Sequence, residues 1–231
     1  MAEKDNSSLK SPAILLFEQR KILIREANAG DVDYATTITD EMEASAKARG
    51  TGIAKRSPDY VAQKMREGKA VIATCEDGAW VGFCYIEAWG HGKFVANSGL
   101  IVSPAFRKSG VATQIKRRVF NLSRIKFPDS KIFGLTTGLA VMKMNSELGY
   151  TPVTYSELTD DEEFWSGCRS CVNYEILMSK DRKNCLCTAM LYDPLKETKQ
   201  TGLTLNKPTQ AEPSKWVFER LFQNLRERIS R

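Results

Sequence analysis

Leu100-Ile101-Val102-Ser103-Pro104-Ala105-Phe106-Arg107-Lys108-Ser109-Gly110-Val111-Ala112 is the stretch on which the reading of this chain turns. An apolar strand-like run ends at Ser103-Pro104, and a loop carrying Arg107, Lys108 and Gly110 follows. From Val111 to about Ile125, Ile115, Val119 and Leu122 then share one face of a helix. A strand running through such a loop into a helix presents unpaired backbone N–H groups at the helix N-terminus, where the macrodipole also favours an anion. Gly110 permits close backbone approach, the small Ala112 leaves room for a ligand, and Arg107 with Lys108 supplies positive charge, so the loop suits a phosphate. By spacing alone the stretch reads equally as a plain strand-to-helix turn.

Working outward, Ile22 to Ala27 reads as a first strand. Asp31 offers a cap for a helix running towards Ala48, and Ser57 caps a second helix with Pro58 at its first position and Gly68 as its stop. Three strands follow, over 70–75, 80–88 and 94–102, the first two joined through Asp77-Gly78 as a hairpin. After the helix from Val111, the pattern predicts a strand at 131–136, a helix at 141–148 closed by Gly149, and late strands at 152–155 and 172–177. The predicted order is β-α-α-β-β-β-α-β-α-β-β, an α/β fold. Residues 1–20 form an N-terminal segment, 21–195 the main domain, 196–213 a linker rich in Lys, Thr, Gln and Pro, and 214–231 an amphipathic C-terminal helix.

Composition narrows the classes. The 231 residues suit one large domain, 42% of them hydrophobic and 27% charged, and no apolar run approaches the roughly 20 residues that span a bilayer. With no signal-like N-terminus, a cytoplasmic protein with no membrane partner is expected. The net charge is +6, but the residues from Lys196 onward hold eight Lys/Arg against four Glu, so the body is near neutral. Such a body is a poor phosphate-backbone binder, and no nucleic-acid partner is expected.

Arg107-x-x-Gly110-x-Ala112, after a strand ending Val-x-Pro, resembles the acyl-CoA pyrophosphate loop of the GNAT N-acyltransferases, Arg/Gln-x-x-Gly-x-Gly/Ala. The element order is similar to that fold as well, over roughly Ile22 to Leu177. The resemblance implies a mixed, mostly antiparallel sheet, splayed between the strand ending at Val102 and the strand at 131–136, with the donor's pantetheine arm in the splay. It implies that Ile101 and Val102 pair with that arm through their backbones and polarise the thioester. The amides of Lys108, Ser109, Gly110, Val111 and Ala112, with Arg107, would hold the pyrophosphate. The implied chemistry is direct attack of an amine on the thioester, with acetyl-CoA or succinyl-CoA as donor.

The sequence departs from the family at the acid. Where many relatives carry Tyr four residues before a glycine, this chain has Asn145 before Gly149, leaving Ser146, another side chain or water to protonate the thiolate. The usual carboxylate on the central strand is replaced by Asn97 and Ser98. Glu87 on the preceding strand is the candidate base, acting through water, although a strand-end or ion-paired carboxylate fits it too. His91 offers a second base, and its Gly90-His91-Gly92 setting reads as a turn.

Ala48 to Arg56 joins the first two helices, a position from which relatives close over the acceptor. Arg49, Lys55 and Arg56 with two glycines suit an anion-binding loop, and equally a solvated turn. An arginine fork holds a carboxylate bidentately, so Arg49 and Arg56 point to an acidic acceptor such as glutamate. Arg-Gly-Thr-Gly-Ile-Ala-Lys-Arg, Asn-Ser-Gly-Leu-Ile-Val and Phe-Gly-Leu-Thr-Thr-Gly-Leu-Ala-Val-Met-Lys are similar to a GNAT subgroup of arginine biosynthesis that acylates glutamate. That resemblance sets Thr136, Thr137 and Lys143 near acceptor or thioester. A polyamine, drug or protein-lysine acetyltransferase, a silent CoA-binding module and a zinc-dependent nucleic-acid adaptor are the competing readings.

Cys168-x-x-Cys171 and Cys185-x-Cys187 place four thiols within twenty positions, and two close pairs met by a hairpin make a structural zinc site, reduced core cysteines or a redox pair. Cys75 and Cys84 read as core. The C-terminal helix suits docking on its own domain or on a second copy in a homodimer.

Overall fold

The computed structural model describes residues 21–50 and 55–196. The N-terminal segment, the linker from residue 197, the expected C-terminal helix and residues 51–54, in the segment between the first two helices, lie outside the described residues.

Seven strands form one sheet in the order β1-β2-β3-β4-β5-β7-β6. They are β1 (Ile22–Glu26), β2 (Ala70–Cys75), β3 (Trp80–Trp89), β4 (Phe94–Val102), β5 (Lys131–Thr136), β6 (Thr151–Val153) and β7 (Thr188–Tyr192). All neighbours are antiparallel except β4 and β5. Helices α1 (Ala35–Arg49) and α2 (Pro58–Arg66) cover one face, where Ile38, Met65, Ile72, Phe83 and Tyr85 pack together. The other face is covered by α3 (Val111–Lys126), whose Ile115 and Val119 sit against Val71, Cys84, Ile86 and Val95. Cys75 and Cys84 are buried, as the strand pattern predicts. Strand β2 is buried along its whole length because both faces are covered, which is why it reads as an unbroken apolar run.

Two expectations are corrected. Asp31 is not a helix N-cap: Asn28 caps a 3-10 turn over Ala29–Tyr34, Asp31 completes a capping box as its third residue, and α1 begins only at Ala35. The late strand at 172–177 is a helix, α6 (Tyr174–Ser179), and the last strand is β7. Short helical segments, including α5 (Glu162–Ser166), fill residues 154–187 between β6 and β7. A helix lies there because the excursion carries its own core: Tyr155, Leu158, Trp165 and Leu177 pack on Trp89, Phe133 and Leu191. An amphipathic run with a half-turn of apolar side chains meets that small core as well by helix as by strand.

Candidate active site

Strands β4 and β5 pair only at Phe94↔Lys131, Val95↔Ile132 and Ala96↔Phe133. Beyond Ala96 they part, while the other edge of β4 stays on β3 as far as Gly82↔Val102. The backbone of β4 from Asn97 to Val102 therefore turns an edge into the gap. A bulge at Gly99 sharpens the turn: Tyr85 faces Ser98 and Phe83 faces Ile101, so β4 spends one residue more than β3. Gly99 has φ +65°, and a Cβ there would meet Met42 Cε at 2.8 Å and the Tyr85 ring, so only glycine fits.

The loop after β4 runs through a 3-10 turn, Pro104–Phe106, to Gly110, which caps α3 at φ +83°. No side chain caps α3, so the amides of its first turn are open to an anion, as the spacing predicts. Lys108 is also left-handed, at φ +63°, and the Ser109 hydroxyl donates to the Phe106 carbonyl at 2.6 Å. Lys108, Ser109 and Gly110 are exposed; Val111 is buried and Ala112 half-buried. Arg107 does not reach towards the loop's own amides. Its Nη2 donates to Glu41 Oε1 at 2.7 Å and Ser45 Oγ at 2.6 Å on α1, and its Nε to the Val102 carbonyl at 3.2 Å.

On the α1–α2 face, Glu87 lies in the row where the sheet begins to part, opposite Ala96, which in turn faces Phe133. It is 5% exposed and not at a strand end. Arg56 Nη2 lies 3.2 Å from Glu87 Oε1, the Tyr60 hydroxyl donates to the same oxygen, and Arg56 Nε donates to the Tyr85 hydroxyl at 3.0 Å. Burial works against the Arg56 charge, but Tyr85 and Glu87 outweigh it and raise its pKa. Burial, then Glu87, push the Tyr60 phenol far up, so it stays a donor. The fork expected at Arg56 for an acceptor carboxylate is thus turned inward onto Glu87, Tyr85 and the Lys55 carbonyl. Arg49, at the end of α1, is exposed. Tyr60 and Tyr85 were missed in the sequence, although Tyr85, two residues before Glu87, shares its side of the strand.

Asn145 on α4 (Leu139–Glu147) is 1% exposed and lies against the start of the splay: a Cβ on Gly134 would sit 3.6 Å from its Nδ2. Nδ2 reaches Met190 Sδ at 3.7 Å, and Oδ1 is buried without a hydrogen bond. Ser146, Thr137 and Lys143 are exposed; Thr136 is half-buried and accepts from the Gly138 amide at 3.0 Å. His91 occupies an exposed turn at φ +55° between β3 and β4, at the end away from the parted strands. Asn97 points to the opposite face, where it accepts from Lys116 Nζ at 3.3 Å and the Tyr150 hydroxyl at 3.1 Å.

Cys168, Cys171, Cys185 and Cys187 line one cavity, but among the described residues no three His, Cys, Asp or Glu stand in positions to hold a metal. A helical excursion, not the expected hairpin, brings the pairs together. Among the described residues no helix is long and apolar enough to cross a membrane.

No known family model and no curated protein matches the sequence. Solved structures do. N-acetylglutamate synthase from Neisseria gonorrhoeae, complexed with coenzyme A and N-acetyl-glutamate, is similar over 75% of this chain at 17% identity and a TM-score of 0.52. The likeness covers 35% of the synthase, so the chain spans about a third of that relative's length. A Mycobacterium tuberculosis protein in complex with CoA is similar at 19% identity and a TM-score of 0.52, over 74% of this chain and 98% of its own. YncA of Salmonella typhimurium with its cofactor acetyl-CoA is similar at 14% identity and a TM-score of 0.51, over 83% and 99%. Strand order, the parting of β4 from β5 and these likenesses agree, and the chain has the GNAT fold.

Proposed function

We propose that the protein is an acyl-CoA-dependent N-acyltransferase whose acceptor is a small acidic amine, glutamate first among them. The observation that carries this is the presence of three features on one sheet: the parting of β4 and β5, the buried Glu87 in the row where they part, and the open amides of the loop that leads from the end of β4 into α3. The fold's CoA-bound neighbours support the donor, and the Neisseria complex, which holds N-acetyl-glutamate, supports the acceptor.

In this reading the loop amides hold the pyrophosphate, and the open edge of β4 at Ile101 and Val102 receives the pantetheine arm and polarises the thioester carbonyl. The acceptor's neutral amine attacks the carbonyl carbon. As the C–N bond forms and the C–S bond breaks, the amine's proton passes through water to Glu87. Arg56 and Tyr60 hold that carboxylate in place. Asn145 donates to the leaving sulfur from Nδ2, and the thiolate takes its proton from solvent or Ser146. With the Arg56 fork turned onto Glu87, the acceptor carboxylate falls to Arg49 at the mouth, aided by Thr136, Thr137 or Lys143. Succinyl-CoA is the alternative donor to acetyl-CoA, since Lys55, Lys64 and Lys143 offer cations for its extra carboxylate. A role in arginine biosynthesis in the cytoplasm, with a homodimer built through the C-terminal helix, is the setting that fits.

The test is thiol release from acetyl-CoA and succinyl-CoA with glutamate, aspartate, ornithine, spermidine and a lysine peptide as acceptors. Glutamate-dependent release is expected. Release only with a cationic acceptor would discard the basic pocket for an acidic acceptor, and CoA binding without release would favour the silent module, a reading motivated by Asn145 in place of the family's Tyr and by the missing central carboxylate.

A further inference from the structure

Residues 154–187, between β6 and β7, have no part in the acyl-transfer reading. They nevertheless bring two cysteine pairs from different elements to a single cavity of about 30 Å³ walled by Leu135, Tyr155 and Trp165. Cys168 and Cys171 belong to one tight turn, a 3-10 helix over Gly167–Ser170 closed by the Cys171 amide on the Cys168 carbonyl at 2.9 Å. Cys185 and Cys187 lie in the loop entering β7, which Tyr155 fastens by donating its hydroxyl to the Cys187 carbonyl at 2.9 Å.

Asn173 lies between the two pairs: its amide donates to Cys171 Sγ at 3.4 Å, and the Cys185 thiol donates to its carbonyl at 3.8 Å. The four thiols crowd round one cavity, and among the described residues their Sγ atoms do not converge on a point. A thiophilic cation supplies the convergence, at a zinc–sulfur distance of about 2.3 Å. Each sulfur that ligates releases one proton to solvent.

We propose that the two cysteine pairs bind one zinc ion as a closed four-thiolate site, and that this site holds the Gly167–Ser170 turn against the Lys55–Arg56 wall of the acceptor pocket. The link is direct. The Lys55 amide donates to Ser170 Oγ at 3.0 Å, and a Cβ on Gly167 would sit 3.7 Å from Arg56 Nη2. Arg56, with Tyr60, holds Glu87. Four thiolates leave zinc no open position, so the ion orders structure and takes no part in the chemistry. Its influence reaches the acceptor through Arg56 and leaves the donor loop untouched. The second half of the proposal depends on the acyl-transfer reading; the first does not.

The experiment uses the full chain, purified under reducing conditions with zinc and then freed of loose metal. One zinc per chain is expected by elemental analysis, and cobalt in its place should give sulfur-to-metal charge-transfer bands with tetrahedral ligand-field bands. The Cys185→Ser/Cys187→Ser double variant should lose the metal and keep its CoA affinity, which also shows that it folds. Removing zinc from the wild type should raise the acceptor KM by roughly tenfold, the scale of a lost positioning contact, and leave the CoA affinity unchanged. Metal-free protein with all thiols reduced after zinc loading, a cobalt spectrum without sulfur bands, or a disulfide in the purified chain would overturn the site. A bound zinc whose removal changes the donor and acceptor KM equally would overturn the coupling. Metal content and the cobalt spectrum are read without turnover, so a failure of the acyl-transfer reading shows separately, as absent thiol release from a zinc-loaded protein.

Discussion

On the donor side of the site, the path from β4 to α3 is built by backbone: a bulge at Gly99, an edge without a partner beyond Ala96, and a left-handed Gly110 ahead of an uncapped helix. On the acceptor side, the same sheet is dressed by side chains from distant parts of the chain: Arg56 and Tyr60 converge on Glu87, and Ser170 reaches back to Lys55. Backbone geometry of the first kind depends on what a few consecutive residues permit. Side-chain clusters of the second kind depend on the whole fold being in place, so the two sides should fail differently when altered.

The largest effect is expected where backbone does the work. Gly110→Trp combines a bulky side chain with a left-handed position and blocks the mouth of the loop. CoA binding should be lost in calorimetry while the far-UV spectrum stays that of the wild type, and wild-type affinity would refute the loop. Next is Glu87→Gln, which keeps the shape of the proposed acceptor side and removes the proposed base. The turnover number should fall by about 10²–10⁴ with CoA affinity unchanged. A loss shared between the two would show that Glu87 shapes the donor side as well.

A third prediction concerns the opposite face. Burial pulls the Lys116 pKa down to about 8 against a smaller opposing pull from Cys84, while its amine donates to Asn97 and lies 5.0 Å from the Tyr150 ring. The unfolded chain binds this proton more tightly, so stability should climb as pH rises from about 8 to the ordinary lysine range near 10.5. Lys116→Met should flatten that climb and, below pH 8, raise stability by about 3 kcal/mol, measured by urea unfolding at several pH values. An unchanged slope would mean that water reaches the amine. The smallest effect belongs to Arg49→Ala. The acceptor KM should rise about tenfold and the donor KM should not move, the cost of one charged hydrogen bond.

This division also explains what the sequence conveyed. The loop into α3, the Asp77-Gly78 hairpin and the helix capped by Ser57 are local, each set by a glycine, a proline or a short periodicity, and each stands where the pattern predicts. The role of Arg107 was not legible, because a cation in an anion loop reads as a ligand contact until the fold brings Glu41 and Ser45 beside it. Arg56 failed for the same reason, its partners lying 29 and 31 positions away. Residues 172–177 have the composition of a strand, but Leu177 alone among them is fully buried, and a helix delivers it to the core while leaving Val172 and Ile176 in water.

The tie from Arg107 to α1 has a practical consequence for protein engineering. Anyone transplanting residues 100–112 into another scaffold to confer nucleotide affinity would carry over the open amides but leave behind the anchor, since Glu41 and Ser45 sit some sixty positions upstream. The smallest portable unit is the loop together with the helix to which it is moored.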